Sequence, residues 1–378
     1  MNKLLFVVNV DWFFLSHRLP IALEAIKKGY EVHLACNVTS KRELIQSYGI
    51  ILHEIPLSRS GINLLGELST LLSLARIIRK VNADIIHSVT IKPVIYANVL
   101  AKLLGNARRV SSISGLGYVF IANGMKAKLL RAMVSRFYKL AISGADSIIF
   151  QNTADRDVLS KLGVVQKHQE VMIRGSGVNL SDYVVQPEPE REMVVMLVAR
   201  LLVDKGVNEF FGAAKLVNQK YSNVRMVLVG DIDPGNPKSI TEAQLKLWGE
   251  SNAIEHWGYS HDISDTMAKA NIIVLPSYRE GLPKSLIEAA ACGRPVITTN
   301  VPGCRDAIEE GKTGLLVPPR KIEELAEAIF ILLDDKGMRQ RFGENGRALA
   351  VSAFNIRDVV SKHLDIYNRS LINTRDIL

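Results

Sequence analysis

The sequence has little cysteine and no long run of apolar residues. Its three cysteines, Cys36, Cys292 and Cys304, form no C-x-x-C pair and no cluster with histidine, so neither a disulfide framework nor a structural zinc site is indicated. No stretch of about 18 uncharged apolar residues occurs, which a membrane-spanning helix would need. The apolar start of the chain is interrupted by Asn9 and Asp11 without a small-residue cleavage site, so we interpret it as a strand rather than a signal peptide.

The chain is long enough for two domains, and its pattern repeats. Of its 378 residues, 48% are hydrophobic and 22% are charged, which excludes intrinsic disorder and favours globular domains of about 150–200 residues each. Short apolar runs alternate with longer amphipathic segments, first over residues 4–174 and again over residues 193–333. This alternation predicts parallel sheets covered by helices, so the fold class is α/β with two Rossmann-like domains facing across a cleft.

A polar segment at residues 185–191 separates the two series of strands. It contains two prolines and cannot continue a helix or a central strand, so we interpret it as a linker. We expect an N-terminal domain of residues 1–184 and a C-terminal domain of residues 192–355. A final helical stretch, residues 356–378, is expected to join the N-terminal domain. Ligands of such folds bind beyond the carboxyl ends of the strands.

Positive charge is concentrated in one half of the chain. Residues 1–190 contain 23 Lys and Arg against 14 Asp and Glu, whereas residues 191–378 contain 24 of each. The whole net charge of +9 therefore lies in the N-terminal half, which favours an anionic partner there. Lysine and arginine dispersed on solvated helices are the alternative.

Residues 275–293 have the features of a phosphate site. A predicted buried strand leads into a loop with Glu280 and Gly281, and Pro283 then begins a helix. The free amide groups and the positive dipole end of a helix N-terminus favour a phosphate. Glu288, about one turn further, can accept hydrogen bonds from a ribose diol, as acidic residues do in dinucleotide-binding folds. An ordinary helix start with a surface glutamate is the alternative.

Arg200 and Lys205 form a second cationic group in the C-terminal half. The predicted strand 193–199 delivers Arg200 to the same edge of the sheet, and Lys205 is expected to open the next helix. A cation at a helix N-terminus opposes the dipole and needs an anion nearby. A guanidinium fork and an ammonium group together suit a diphosphate. A salt bridge to Asp204 with a solvated Lys205 is the alternative.

These residues resemble the signature of the retaining glycosyltransferases of family 4, which have the two-Rossmann GT-B fold. The Glu–x7–Glu motif of the family is matched by Glu280 and Glu288, and its Arg–x4–Lys pair by Arg200 and Lys205. The match extends over nearly the whole C-terminal domain. The resemblance implies retaining transfer of a sugar from a nucleotide-sugar, best a UDP-sugar, with neither a metal nor another cofactor.

The resemblance also implies a role for each of these residues. Glu280 would contact the donor sugar and Glu288 would bind the ribose, while Arg200 and Lys205 would hold the diphosphate. The catalytic candidates are therefore Glu280, Arg200 and Lys205. The donor-binding candidates are Glu288, Gly281, Leu282, Pro283, Lys284 and Ser285.

The N-terminal domain is expected to bind the acceptor. Residues 14–20 resemble bacterial transferases that extend undecaprenyl-diphosphate-linked saccharides, including α-1,3-N-acetylgalactosaminyltransferases. This resemblance implies an N-acetylhexosamine such as GalNAc as the sugar, and a lipid-diphosphate-linked saccharide as the acceptor in surface polysaccharide, O-antigen or glycan assembly. The wider family often has His-x-His after the fourth strand, where this chain has His87 and Val89. The acceptor-side candidates are His17, Arg18, His87, Lys92, Gly115 and Gly117.

Two features predict contact with an anionic membrane surface. Residues 12–14 place three bulky apolar side chains in a predicted loop, which suggests contact with lipid unless the loop folds onto its own core. Residues 126–140 form a basic amphipathic helix that can lie on anionic lipid, or else pack as a domain helix with a solvated basic face. We expect a cytoplasmic protein, peripheral on the inner face of the plasma membrane. The candidate contacts are Trp12, Phe13, Phe14, Lys126, Lys128 and Arg131.

Three other functions are weaker interpretations of the sequence. Non-hydrolysing UDP-GlcNAc 2-epimerases share the two-Rossmann plan, but they would need acid–base residues and no apolar acceptor loop. A nucleic-acid partner is not expected, because no recognition helix or basic strand with interleaved aromatics occurs. A dehydrogenase is weaker still, since no G-x-G-x-x-G follows the first strand of either domain.

Overall fold

The computed structural model describes residues 1–58, 64–105, 107–116 and 125–372. Within these ranges the chain divides into two compact units. Unit 1 comprises Met1–Ser176 with the C-terminal residues from Arg357 onward, and unit 2 comprises Gly177–Ile356. Each unit is built on one parallel sheet, so the predicted α/β class with two Rossmann-like domains is confirmed.

Unit 1 is a seven-stranded parallel sheet in the order β3-β2-β1-β4-β5-β6-β7. Its strands are β1 (Lys3–Val10), β2 (Glu31–Asn37), β3 (Ile51–Glu54), β4 (Ile85–Val89), β5 (Arg108–Ile113), β6 (Ser147–Phe150) and β7 (Glu170–Met172). Its helices are α1 (Asp11–His17), α2 (Leu19–Lys27), α3 (Arg42–Ser47), α4 (Leu64–Val81), α5 (Ile91–Leu104), α6 (Met125–Ile142), α7 (Thr153–Lys161) and the last helix of the chain, α14 (Ile356–Ile372).

Unit 2 is a six-stranded parallel sheet in the order β10-β9-β8-β11-β12-β13. Its strands are β8 (Met193–Val198), β9 (Val224–Val229), β10 (Glu255–Gly258), β11 (Ile272–Leu275), β12 (Val296–Thr299) and β13 (Gly314–Val317). Its helices are α8 (Val207–Lys220), α9 (Glu242–Glu250), α10 (Ile263–Ala268), α11 (Lys284–Ala291), α12 (Ile322–Asp334) and α13 (Lys336–Ala353).

The strand order of each sheet reverses direction at one point. In unit 1 this switch lies between β1 and β4, which pair in register at Leu5 and Ile86. In unit 2 it lies between β8 and β11, which pair at Met196 and Ile273. All four strands are almost wholly buried because helices cover both faces of a parallel sheet. Ligands of open α/β sheets bind beyond the carboxyl ends of the strands at this switch point.

Residues 177–190 pack within unit 2, although the sequence analysis assigns residues up to 184 to the N-terminal domain. Val178 donates its backbone N–H to the carbonyl of Phe354 (2.8 Å). Glu188 forms a two-pronged ion pair with the buried Arg339 (2.9 and 3.0 Å). The two prolines do prevent a helix or strand in residues 185–191. The ion pair of Glu188, however, holds this predicted linker against unit 2.

The apolar residues 12–14 lie in a helix, not in the predicted loop. The carboxylate of Asp11 accepts hydrogen bonds from the backbone N–H of Trp12 (2.8 Å) and of Thr39 (2.7 Å). An acidic residue in the first turn also interacts favourably with the positive end of the helix dipole. The carboxylate thereby fixes the start of α1 directly after β1.

Candidate active site

Two glycines bring the loops at the unit 2 switch point into backbone contact. Gly206 has φ +78°, and a Cβ there would lie 2.2 Å from the carbonyl oxygen of Pro276. Gly303 has φ +83°, and a Cβ there would lie 2.4 Å from the carbonyl oxygen of Glu280. Only glycine tolerates both the positive φ and so close an approach. The loops that carry Lys205 and Glu280 are thus held together by their main chains.

Lys205 and Glu280 form an ion pair at this switch point. The hydroxyl of Ser277, which is fully buried, donates to the same Glu280 oxygen (2.7 Å). Lys205 does not open a helix as predicted: it ends a short 3-10 turn, Val203–Lys205, and Gly206 separates it from α8. The anion that the sequence requires beside Lys205 is the carboxylate of Glu280.

Arg200 follows β8 and pairs with Asp233, at 2.5 Å between guanidinium and carboxylate. The sequence alternative is a salt bridge to Asp204, whereas the carboxylate that Arg200 meets at this distance is that of Asp233. Asp233 is itself held in a turn, where its backbone N–H donates to Ser239 (2.8 Å). Both cations of the predicted pair therefore lie at the switch-point edge, each opposite a carboxylate.

Helix α11 begins beside these groups, with its N-terminus at the carboxyl edge of the sheet. Pro283 is the residue before the helix (φ −69°, ψ 125°) and not its first member, one position away from the prediction. No side chain caps this end, and the first amide groups of a helix have no acceptor inside it. The amides of Lys284 and Ser285 are therefore suited to an anion.

Glu288 lies inside α11 and is only 6% exposed. Its Oε1 accepts the hydroxyl of Tyr183 (2.7 Å) and lies 3.3 Å from the ammonium of Lys284. Burial, and then the neighbouring Glu288 carboxylate, raise the pKa of Tyr183, so the hydroxyl keeps its proton. The sequence analysis names neither residue as a site candidate: Tyr183 meets Glu288 through a contact across 105 positions, and Ser277 meets Glu280 within the loop after β11.

Arg18 is almost fully buried in unit 1, between α1 and α2. Its guanidinium donates to the carbonyl of His17 (2.8 Å) and lies 3.4 Å from the hydroxyl of Ser114, just after β5. Burial lowers the pKa of Arg18 to about 10, so the side chain is still protonated at neutral pH. His17 is partly exposed, and its ring stacks on Phe13 at 4.2 Å between centroids.

His87 is a buried structural histidine, which corrects its assignment to the acceptor side. Its Nδ1 lies 2.6 Å from the hydroxyl of Tyr367 on α14, and its Nε2 lies 2.7 Å from the hydroxyl of Ser112 on β5. With no exposed surface and both ring nitrogens engaged, the side chain cannot meet an acceptor. It fastens the last helix of the chain to the sheet of unit 1.

The other acceptor-side candidates have different environments. Lys92, at the start of α5, forms an ion pair with Glu67 on α4 (2.6 Å). Gly115 follows β5 with φ +110°, a conformation that favours glycine. Gly117 lies outside the described residues, as do the side chains of Lys126 and Lys128.

The membrane candidates divide between buried and accessible side chains. Phe14 is fully buried and packs edge-on against Phe6 (5.6 Å between ring centroids), so its assignment as a lipid contact is wrong. The alternative that this segment folds onto its own core is right for that residue. Trp12 and Phe13 remain partly exposed, as does Arg131 on α6.

Helix α6 carries more accessible apolar surface than the sequence suggests. Met133, Phe137 and Leu140 are 47%, 48% and 57% exposed, and Arg136 and Lys139 are exposed on the same helix. The sequence analysis leaves open whether this helix lies on lipid or packs as a domain helix with a solvated basic face. The described ranges contain no helix long and apolar enough to cross a bilayer and no cluster of three metal-ligating acidic, histidine or cysteine side chains.

Comparison with known families gives two matches that together span most of the chain. The model of glycosyl transferases group 1 matches residues 182–349, and the glycosyl transferase 4-like model matches residues 3–152. The first match contains every residue of the predicted donor site. The second contains the residues predicted for the acceptor side.

Two relatives with assigned activities match over most of their lengths. The N,N'-diacetylbacillosaminyl-diphospho-undecaprenol alpha-1,3-N-acetylgalactosaminyltransferase of Campylobacter jejuni is 28% identical over 95% of this chain and 99% of its own. The UDP-Gal:alpha-D-GlcNAc-diphosphoundecaprenol alpha-1,3-galactosyltransferase of Escherichia coli is 24% identical over 84% of both chains. Among solved structures, Anabaena HepE in complex with UDP has a TM-score of 0.77 at 18% identity, over 97% of this chain and all of its own. That structural likeness shows the fold.

Proposed function

We propose that this glycosyltransferase, which has a glycosyl transferase 4-like domain and a glycosyl transferases group 1 domain, is a retaining enzyme of family 4 that transfers an N-acetylhexosamine such as GalNAc from a UDP-sugar to a lipid-diphosphate-linked saccharide. The observation that carries the proposal is the switch-point site of unit 2, where Arg200, Lys205, Glu280 and the N-terminus of α11 share one edge. The epimerase alternative is not retained, because both matching family models are of glycosyltransferases.

The donor site can be assembled from the side chains that unit 2 brings together. The amides at the start of α11, with Arg200 and Lys205, would hold the diphosphate, since helix N-termini and cations both favour phosphate oxygens. Glu288 would accept hydrogen bonds from the ribose. Glu280, held by Lys205 and Ser277, would face the sugar.

The choice of sugar and acceptor rests on the named relatives. The Campylobacter relative is named for GalNAc transfer to an undecaprenol-diphosphate-linked saccharide, and the Escherichia coli relative for galactose transfer to a similar carrier. We therefore propose a lipid diphosphate acceptor from bacterial surface polysaccharide, O-antigen or glycan assembly. On this proposal the protein works at the inner face of the plasma membrane.

Replacing Glu288 by alanine tests the donor site. We expect UDP and GDP to bind roughly tenfold to a hundredfold more weakly, since a hydrogen bond to a charged group contributes roughly 1.5–3 kcal/mol. Both nucleotides should lose affinity because they share the same ribose and the contact does not involve the base. Titration calorimetry measures the effect, with Glu327→Ala on the exposed face of α12 as the matched control. Unchanged affinities in Glu288→Ala would show that the ribose assignment is wrong.

A membrane face on unit 1 is consistent with such an acceptor. The exposed apolar side chains of α6 alternate with basic ones, as on helices that lie on anionic lipid. Helix α4 contributes further apolar surface: Leu64, Leu65 and Leu68 are 80%, 79% and 54% exposed. Helix α5 packs against both α4 and α6, so these helices form one layer on the sheet.

Vesicle cosedimentation tests this face. Binding should require anionic lipid and weaken with added salt, since each basic side chain near the surface contributes about 1 kcal/mol. We expect a further loss of at least roughly fivefold when Met133, Phe137 and Leu140 become serine, or when Trp12 and Phe13 do, because buried apolar area is lost. The control is Leu247→Ser, a 64% exposed leucine of unit 2. Binding indifferent to lipid charge and to these substitutions would reject the membrane face.

A further inference from the structure

Tyr183 makes a contact that the proposed chemistry does not yet use. It lies in the segment of residues 177–190, and its ring packs against the apolar core of unit 2. Its hydroxyl donates to Oε1 of Glu288 (2.7 Å). The buried end of the side chain therefore meets the carboxylate assigned to the ribose.

The two oxygens of Glu288 have unequal surroundings. Oε1 takes the hydroxyl of Tyr183 and faces the ammonium of Lys284 (3.3 Å). Oε2 accepts no hydrogen bond from the described residues. A carboxylate that is held at one oxygen has its plane fixed, so the direction in which it can receive a ligand hydroxyl is fixed as well.

We propose that Tyr183 is a positioning residue that aims the free oxygen of Glu288 at the 2′-hydroxyl of the ribose and thereby sets the preference for ribonucleotides over deoxyribonucleotides. The inference rests on the proposed function, because it assumes a nucleotide at this site. Without the hydroxyl, only the ammonium of Lys284 remains at Oε1 (3.3 Å), and the carboxylate can turn more widely about its last torsion, which has a broad profile. A hydroxyl of the ribose would then be met by a less well-oriented acceptor.

A purely structural role for Tyr183 predicts a different outcome. The residue also anchors the backbone of its segment, because Arg347 donates to its carbonyl (2.8 Å). Tyr183→Phe keeps the ring and this backbone contact, and it removes only the hydroxyl. A residue that only packs would lose thermal stability without changing which nucleotide is preferred.

The experiment compares two proteins, each titrated with two kinds of nucleotide. Parent and Tyr183→Phe are titrated by calorimetry with UDP and GDP and with their 2′-deoxy counterparts, and the melting temperatures are recorded. We expect Tyr183→Phe to weaken binding of the ribonucleotides roughly three- to tenfold and to leave the deoxy forms almost unchanged, as loss of one oriented hydrogen bond predicts. The ratio of ribo to deoxy affinity should fall by the same factor.

A matched tyrosine–carboxylate pair away from the site provides the control. The hydroxyl of Tyr221 donates to Asp334 (2.6 Å) on the exposed surface of unit 2, so Tyr221→Phe should leave every nucleotide affinity unchanged. An unchanged ribo-to-deoxy ratio in Tyr183→Phe overturns the positioning role, while a loss in Glu288→Ala would still support the proposed donor site. Failure of the parent to bind either nucleotide would overturn both.

Discussion

Replacing Lys205 or Arg200 by alanine is expected to lower the turnover number roughly 10²- to 10³-fold, the loss typical when one group that stabilises developing charge is removed. The charge on the departing nucleoside diphosphate grows as the bond to the sugar breaks. A cation fixed in advance at that point stabilises the transition state more than the bound donor. Lys205 is fixed by Glu280 and Arg200 by Asp233, so both cations are oriented before a donor arrives.

The comparison of turnover with donor affinity decides the role of these cations. Steady-state kinetics should show a large fall in kcat and a much smaller rise in KM for the donor, with calorimetry confirming that the nucleotide still binds. The control is Lys215→Ala, which removes an exposed lysine of α8 that lies over the ring of Phe211. Equal losses in turnover and in donor affinity would mean ground-state binding alone and would contradict a catalytic role.

The sequence predicts the sheets and the main site residues because both depend on local patterns. A buried parallel strand is a short apolar run, and the residue after it must lie at the carboxyl edge of the sheet. Arg200 after β8 and the loop with Glu280 after β11 are placed by that rule alone. Position 303 must be glycine because its backbone lies against the carbonyl of Glu280 and leaves no room for a Cβ atom.

Contacts between distant residues escape such patterns. Tyr183 meets a glutamate 105 positions further along the chain, and Arg200 meets an aspartate 33 positions away. The apolar run of residues 12–14 does not show which of its side chains are exposed. Trp12 and Phe13 are partly accessible, but Phe14 occupies the inner face of α1. The resemblance implies an acceptor-side role for His87, yet it is the central residue of β4 and a helix from far along the chain covers it.

Mild acid is expected to destabilise unit 1 far more than unit 2. His363 on α14 is buried, with Nδ1 bonded to the carbonyl of Val359 (2.7 Å). Burial, and then the neighbouring Arg18, lower the pKa of His363 from 6.5 to about 3. Burial, followed by His363 and Arg18, lowers the pKa of His87 well below 6.5. Both side chains therefore stay neutral in the folded state, beside a guanidinium that is already charged.

The sign follows from proton binding. As pH falls below 6.5, the unfolded chain takes up protons that the folded chain refuses, so stability is lost from about pH 6.5 downward until about pH 3, where His363 itself titrates. Between pH 7 and pH 5 His363 alone should lower the free energy of unfolding by about 2 kcal/mol, and His87 should add to that loss, a large part of the stability of an ordinary domain. The two histidines of unit 2, His256 and His261, are exposed, in contrast to the buried pair of unit 1.

Urea unfolding at pH 7, 6 and 5, monitored by pulsed hydrogen exchange, measures the stability of each unit separately. Amides of β1 and β4 report on unit 1, and amides of β8 and β11 report on unit 2. His363→Leu removes one of the groups that take up a proton only on unfolding, so it should recover about 2 kcal/mol of the loss at pH 5 relative to pH 7. His168→Gln, at an exposed position of unit 1, should recover none. If the acid sensitivity of unit 1 persists in full in His363→Leu, His363 is not its cause and the expected role of this residue is wrong.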